Sequence, residues 1–139
     1  MVWDTNVVSE LMRPEPSREV VAWTDRQPVD EVFTTAITVA ELLYGVGRLP
    51  AGRRRDDLAR VVDAMLRDDF ERRVLAFDDV AAAHYAGLVV ERERIGQPIS
   101  MADAQIAAIC RSHGAAVATR NVNDFAGVGV EILNPWTAT

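Results

Sequence analysis

The sequence predicts an α/β fold, a three-layer αβα sandwich in which a mostly parallel sheet of roughly five strands lies between helices. Two observations lead to this prediction. Short apolar stretches typical of buried strands alternate along the chain with longer segments of helical periodicity. No linker-like or repetitive segment interrupts the 139 residues, so we expect one domain over 1–139.

The predicted strands are short apolar stretches bounded by turn-forming residues or by a new helical segment. They are Met1–Trp3, Val32–Ala36, Val74–Phe77, Ala116–Thr119 and Val130–Leu133. Helical periodicity, ended by proline or glycine, predicts the segments between them. These helices are Val7–Arg13, Ser17–Arg26, Val39–Leu49, Arg53–Arg73, Asp79–Arg94 and Ala102–His113.

Composition places the chain among ordinary globular proteins. Hydrophobic residues make up 49% and charged residues 26%, which argues against disorder. The single cysteine excludes an internal disulfide and a cysteine-rich zinc site. No apolar run reaches the length of about 18 residues that spans a bilayer, and the N-terminus lacks the features of a signal peptide. The sequence therefore predicts a soluble, cytoplasmic protein that does not act in a membrane.

Charge narrows the classes of function further. The formal net charge is −6, so net charge alone does not provide a basic nucleic-acid-binding surface. All 15 basic residues are arginine. The absence of lysine excludes a P-loop nucleotide site and a Schiff-base enzyme. It also argues against the aspartyl-phosphate families, which rely on a lysine and resemble this chain only in the aspartate after the first strand.

Acidic residues recur where predicted strands end or helices begin. Asp4 follows the first strand, Glu41 lies in Thr38-Val39-Ala40-Glu41 after the second, and Asp124 follows the fourth. Asp103 lies in Ser100-Met101-Ala102-Asp103, which opens a helix. A Ser or Thr three residues before an acid is also the capping-box pattern, so each acid taken singly has a structural interpretation.

The four acids together favour a metal site. Ligands of open parallel sheets bind at the carboxyl ends of the strands, where Asp4, Glu41 and Asp124 are expected to emerge and Asp103 can join them. Carboxylates gathered in one cleft repel each other unless a cation lies between them. Oxygen ligands suit Mg²⁺, and no His or Cys cluster favours zinc. Such a site indicates phosphate chemistry by a metal-activated water, with Arg120 at the rim as a candidate contact for a polyanion.

Four motifs lie in order along essentially the whole chain. They are Asp4-Thr5-Asn6-Val7-Val8-Ser9-Glu10-Leu11, Ile37-Thr38-Val39-Ala40-Glu41-Leu42 with Gly45, Ala102-Asp103-Ala104-Gln105-Ile106-Ala107-Ala108, and Ala118-Thr119-Arg120-Asn121-Val122-Asn123-Asp124-Phe125 with Asn134-Pro135-Trp136. Together they resemble the motifs of PIN-domain nucleases, in particular the toxins of VapBC-type toxin–antitoxin systems, including the FitB-like branch.

The resemblance implies a Mg²⁺- or Mn²⁺-dependent endoribonuclease. It also implies a homodimer and a small DNA-binding antitoxin that blocks the active site, with promoter DNA bound only through the toxin–antitoxin complex. Asp4, Glu41 and Asp103 match the family's three main acids. Relatives differ at the fourth: some have an acid where this chain has Asn121, and others have the Asn-x-x-Asp form that assigns Asp124. The residues expected to orient these ligands are Asn6, Thr38, Ser100 and Asn121, although the first three fit a role as helix caps equally well.

Two alternative functions stay open at this point. The chain can act mainly as the partner of a DNA-binding antitoxin in transcriptional autoregulation, with weak or no cleavage, because its acidic surface suits a basic partner. It can also be an Asp4-nucleophile phosphotransferase, which the missing lysine disfavours. His84, His113 and Cys110 lie at helical positions that favour packing over catalysis, so a nucleophilic triad is not predicted.

Overall fold

The computed structural model describes residues 1–138, which form short strands and longer helices in alternation. The strands are β1 (Val2–Trp3), β2 (Thr34–Thr35), β3 (Val74–Leu75), β4 (Val117–Ala118) and β5 (Ile132–Leu133). The α-helices are α1 (Thr5–Leu11), α2 (Arg18–Asp25), α3 (Ala36–Gly47), α4 (Arg53–Ala64), α5 (Asp79–Arg94), α6 (Met101–His113) and α7 (Val122–Phe125). A 3₁₀ turn at Val29–Glu31 and a π-helical turn at Met65–Asp69 complete them.

All strand pairs in the sheet are parallel, as predicted. Strands β1, β4 and β5 form a three-stranded sheet in the order β1-β4-β5, and β2 pairs with β3. An isolated parallel bridge between Val2 and Phe33 joins the two sets. The sheet is therefore smaller than the continuous five-stranded sheet that we predicted, because the β1–β2 contact is a single bridge.

The sheet separates two hydrophobic cores, which gives the predicted three-layer arrangement. Successive side chains of a strand point to opposite faces. Val2 packs with Leu88 of α5 and Ile106 of α6 on one face. Trp3 packs on the other face with helices α1 to α4, where Trp23 and Phe70 lie against its ring.

Two helices begin two or three residues earlier than predicted, and capping explains both differences. Asp4 accepts a hydrogen bond from the Thr5 backbone N–H, so α1 begins at Thr5 and not at Val7. Thr35 Oγ1 accepts from the backbone N–H of Thr38, so α3 begins at Ala36 and not at Val39. Side-chain caps satisfy the unpaired N–H groups of a first turn and thereby fix where a helix starts.

The long helix predicted over Arg53–Arg73 is wrong after Ala64. The chain widens there into the π-helical turn, in which the Phe70 N–H donates to the Met65 carbonyl, and Arg72 then adopts a positive φ of 60°. The extra residue in this turn aims Phe70 into the core, where it is 2% exposed. Apolar periodicity alone does not distinguish this turn from a continuing α-helix.

No helix within residues 1–138 is both long and apolar enough to cross a membrane.

Candidate active site

The predicted acids come from four elements that reach the same edge of the sheet. Asp4 directly follows β1, and Glu41 lies in α3, which begins right after β2. Asp124 lies in α7, which follows β4, and Asp103 lies in the first turn of α6. Because the strands are parallel, their carboxyl ends share one edge, which is where open α/β sheets bind ligands.

Asp4 is the most enclosed of the four acids and is 3% exposed. Its Oδ1 accepts from the Thr5 backbone N–H at 2.8 Å. Its Oδ2 accepts from Thr119 Oγ1 at 2.8 Å and from Asn6 Nδ2 at 3.1 Å. Three donors from two strand ends therefore fix the orientation of this carboxylate.

Burial raises the pKa of Asp4 to about 6, although the hydrogen bonds from Thr119 and Thr5 act in the opposite direction. The charges of Asp103 and Glu41 add to the increase. A carboxyl group that is this buried and this close to other acids is typical of a functional site.

Glu41 is exposed and is held by a hydroxyl of the first strand–helix junction. Thr5 Oγ1 donates to Glu41 Oε1 at 2.7 Å. Thr5 Oγ1 also lies 3.0 Å from Thr38 Oγ1, and the buried Thr35 Oγ1 donates to Thr38 Oγ1 at 3.5 Å. Three threonine hydroxyls thus connect the start of α3 to Glu41.

Asp103 and Asp124 form the more open side of the cluster. Burial raises the pKa of the half-buried Asp103, a hydrogen bond with Ser100 lowers it, and the charges of Asp124 and Glu41 raise it again. Ser100 Oγ accepts from the Asp103 backbone N–H at 3.2 Å, which confirms Ser100 as the cap of α6. The charges of Asp103 and Glu41 therefore act on Asp4, and those of Asp124 and Glu41 act on Asp103.

The chemistry of these side chains fits a hard divalent cation. All four donors are carboxylates, and within residues 1–138 no arginine or histidine forms an ion pair with any of them. The described residues contain no group of three acids, histidines or cysteines that is already close enough to enclose an ion. The cluster is thus a set of carboxylate oxygens without a paired cation, which is the type of ligand that Mg²⁺ prefers.

The four residues predicted to orient the acids have different positions. Asn6 donates to Asp4 and Thr119, and its Oδ1 accepts from the Arg120 backbone N–H. Thr38 is not the cap of α3, because Thr35 has that position and Glu41 is the sixth residue of the helix. The predicted Thr38–Glu41 capping box is therefore wrong.

The neighbourhood of Asn121 bears on the fourth acid. The Asn121 backbone N–H donates to Thr119 Oγ1, and among residues 1–138 its exposed side chain makes no hydrogen bond. The charge of Asp124 acts on Asp103, together with that of Glu41. Asp124 therefore lies within electrostatic reach of the cluster, and its role as the fourth acid stays a prediction.

Sequence reasoning missed two threonines that contact the acids. Thr5 and Thr119 both lie inside the motifs, but neither is among the predicted site residues. One signal in the sequence could have indicated Thr119, since it is a hydroxyl residue at the end of the apolar strand Ala116–Thr119. In the structure Thr119 is completely buried. A buried hydroxyl requires a hydrogen-bond partner, and here that partner is Asp4.

Arg120 lies at the edge of the cleft beside an aromatic ring. Its Cζ is 5.1 Å from the centroid of Trp136, a distance typical of a cation–π contact. Its side chain is exposed, and among the described residues it forms no ion pair.

Cys110, by contrast, is fully buried, and burial raises the pKa of its thiol to about 12, so it packs in the core as predicted.

An open, mostly apolar groove of about 900 Å³ begins beside the acids. Thr5 and Glu41 line one end of it. Leu42, Val46 and Leu58 form part of its floor, and it runs between α1, α3 and α4. Of the four acids, Glu41 is the one among the lining residues, so a chain bound in the groove would reach Glu41.

Comparison with known proteins agrees with the resemblance found in the motifs. The model of the PIN domain matches residues 1–130. The chain is 42% identical over 136 residues to a VapC ribonuclease of Sinorhizobium fredii, which covers 98% of this chain and 97% of that protein. It is 40% identical over 133 residues to the toxin FitB of Neisseria gonorrhoeae, covering 96% of each.

Two solved structures have the same architecture over nearly the whole chain. A structure of FitAB bound to a DNA fragment superposes with a TM-score of 0.92 at 38% identity, covering 99% of this chain and 96% of that one. The crystal structure of FitAcB from Neisseria gonorrhoeae gives a TM-score of 0.88 at 38% identity, covering 99% of both chains. The order of strands and helices described above is therefore one that related proteins share.

Proposed function

This chain belongs to the PIN domain family, and on that premise we infer that it is a metal-dependent endoribonuclease, the toxin of a type II toxin–antitoxin system. The observation that carries this proposal is the cluster around Asp4. Its carboxylate is buried, held by three donors, and within electrostatic reach of Glu41 and Asp103. The names of the relatives, a VapC ribonuclease and the toxin FitB, support the same activity.

Each acid has a proposed task. Asp4 and Asp103 would hold Mg²⁺, or Mn²⁺ in its place, and Glu41 and Asp124 would complete the set directly or through water. When bound, the ion lowers the pKa of a water and neutralises charge that builds on the phosphate oxygens. Thr119, Asn6 and the Thr5 N–H keep the Asp4 oxygens in one orientation, so the site loses little entropy when it is assembled.

The proposed partners follow from the same comparisons. FitAB and FitAcB are the assemblies named for the structural relatives, and one of them binds DNA. For this chain we propose a homodimer and a small antitoxin whose segment lies in the apolar groove and reaches the acids, where a basic side chain can pair with them. The complex would then bind DNA through the antitoxin. We propose that the protein encounters both its RNA substrate and its antitoxin in the cytoplasm.

The test is cleavage of RNA by protein purified free of any antitoxin. We expect cleavage that requires Mg²⁺ or Mn²⁺, is abolished by EDTA, and falls at least about a hundredfold in Asp4→Asn and Asp103→Asn. Asp30→Asn, which removes an exposed acid far from the cleft, is the matched control and should cleave normally. Circular dichroism and thermal melting establish that each variant is folded.

Two results would contradict the proposal. Full cleavage by Asp4→Asn in EDTA would exclude the acid cluster as the active site. Wild-type protein that never cleaves but binds a cognate antitoxin and promoter DNA would assign the regulatory role alone.

Arg120 is the proposed contact for an RNA phosphate beside the cleft. Trp136 lies against its guanidinium, and within residues 1–138 Arg120 forms no close ion pair, although its charge helps to lower the pKa of Glu10. Removing one phosphate contact on a single strand should reduce the slope of log affinity against log salt by about 0.7. The measurement compares RNA binding by Asp4→Asn with and without Arg120→Gln. Arg48→Gln is the control, because Arg48 also lies over an aromatic ring, that of Tyr44; equal slopes in all three proteins would remove Arg120 from the interface.

A further inference from the structure

Arg92 is a buried charge that the proposed reaction does not use. It lies near the end of α5 and is 6% exposed, on the helix face that also buries Ala81 and Leu88. Moving a guanidinium out of water is costly unless hydrogen bonds replace the lost hydration. The partners that replace it therefore show what the residue holds in place.

Among the described residues, the Arg92 side chain donates only to backbone carbonyls. Its Nε donates to the Gln97 carbonyl at 2.6 Å. Its Nη1 donates to the carbonyls of Asp124 and Ala126, both at 3.1 Å. Among residues 1–138 it forms no ion pair with a carboxylate, so its charge is balanced by the dipoles of two separate segments.

Each of the two segments carries one acid of the open side of the cluster. Gln97 lies three residues before Ser100, the cap of α6, whose first turn contains Asp103. The second segment is α7 itself, which contains Asp124. Residues 97 and 124 are far apart in the sequence, and the guanidinium of Arg92 connects their backbones directly.

We propose that Arg92 is a positioning residue that sets the separation of Asp103 and Asp124, and hence the ability of this side of the cluster to bind a divalent cation. The proposal rests on the proposed function of the cluster. α7 is four residues long, and its C-cap contributes one internal hydrogen bond, from the Ala126 N–H to the Asn123 carbonyl. So short a helix has little stability of its own, and Arg92 satisfies carbonyls at its end that would otherwise lack donors.

The experiment separates positioning from a general loss of stability. Arg92→Met keeps the apolar part of the side chain and removes all the donors, whereas Arg92→Lys keeps the charge and fewer donors. Leu88→Ala, one turn earlier on the same buried face, lowers stability but removes no hydrogen-bond donor to either segment. Arg94→Met removes an exposed arginine of the same helix that pairs with Glu91.

Binding of Mn²⁺ is measured by calorimetric titration of each variant at a temperature where all are folded. We expect Arg92→Met to weaken Mn²⁺ binding by about tenfold or more, as for other residues that orient metal ligands, with partial recovery in Arg92→Lys. Leu88→Ala and Arg94→Met should bind Mn²⁺ like the wild type. Equal Mn²⁺ affinity in Arg92→Met and Leu88→Ala would overturn the proposal and leave Arg92 a purely structural role.

Amide hydrogen exchange gives a second readout that needs no metal. Arg92→Met should speed exchange over residues 97–103 and 121–127 more than Leu88→Ala does, because the connection between these segments is lost. If the wild type binds no Mn²⁺, the proposed function fails and the exchange data still decide the role of Arg92. Exchange that rises equally in both variants would contradict it.

Discussion

The two sides of the acid cluster are built differently. On one side, Asp4 is buried and its oxygens are held by Thr5, Asn6 and Thr119. On the other side, Asp124 is exposed and Asp103 is half-buried, and Arg92 links the backbone before α6 to the backbone of α7. The first side is preorganised at the cost of desolvating a carboxylate, and the second keeps its acids hydrated.

This difference indicates how work is divided within the cleft. A buried carboxylate without a counterion destabilises the folded protein, and a bound cation reverses that effect. An exposed pair costs little but must be brought to the right separation. The Asp4 side should therefore determine how strongly the free energy of unfolding responds to metal. The Asp103–Asp124 side should determine how closely the carboxylates approach the metal ion.

The largest expected effect concerns the pH dependence of stability at Asp4. Its folded pKa of about 6 lies above the ordinary value of 3.8, so the folded state binds the proton more tightly than the unfolded state does. Without divalent cations, the wild type should lose roughly 3 kcal/mol relative to Asp4→Asn as pH rises from about 4 to about 6, and no more above that. Urea unfolding of both proteins in EDTA at several pH values measures it.

Using the difference between the two proteins removes the contributions of other carboxyl groups. Glu10 and Glu19 have lowered pKa values, through hydrogen bonds from backbone N–H groups, and act in the opposite direction in both proteins. Adding Mn²⁺ at pH 7 should stabilise the wild type and leave Asp4→Asn nearly unchanged. A difference that stays constant between pH 4 and 7 would show that Asp4 is not desolvated.

A smaller effect compares one hydroxyl from each side of the cluster. Thr119→Val leaves the buried Asp4 without its hydroxyl donor and should cost about 1–3 kcal/mol and raise the pKa of Asp4 further. Ser100→Ala removes the cap of α6 and should cost about 1 kcal/mol, with no effect on Asp4. Unfolding free energies and a carboxyl titration by NMR distinguish the two. Equal costs and equal Asp4 titrations would mean that the two sides do not differ.

Much of this arrangement was accessible from the sequence because its signals are local. Alternating apolar strands and periodic helices predicted the parallel α/β fold, and acids at strand ends and helix starts predicted where Asp4, Glu41 and Asp103 would gather. Ser100 was predicted as a possible cap because a cap and its helix are neighbours in the chain. The metal ligands themselves stay a prediction.

What the sequence did not reveal depends on contacts between distant residues. Thr119 and Asp4 are 115 positions apart, so only the fold brings them together. The π-helical turn at Met65–Asp69 arises because Phe70 must reach the core, which is a tertiary demand. The sequence does contain a signal for Arg92. It lies four residues after Leu88, on the buried face of α5, where a charged residue is unusual.

The row of threonine hydroxyls has a consequence of its own, because each hydroxyl has a single proton to give. Thr5 gives its proton to Glu41, so it must accept from Thr38, and Thr38 must in turn accept from Thr35. Thr35 accepts from the backbone of α3, which fixes the first link. All the hydroxyls of this row therefore donate in the same direction, from Thr35 toward Glu41. Substituting Thr35 should change the hydrogen bonding of Glu41, although the two side chains are not in direct contact.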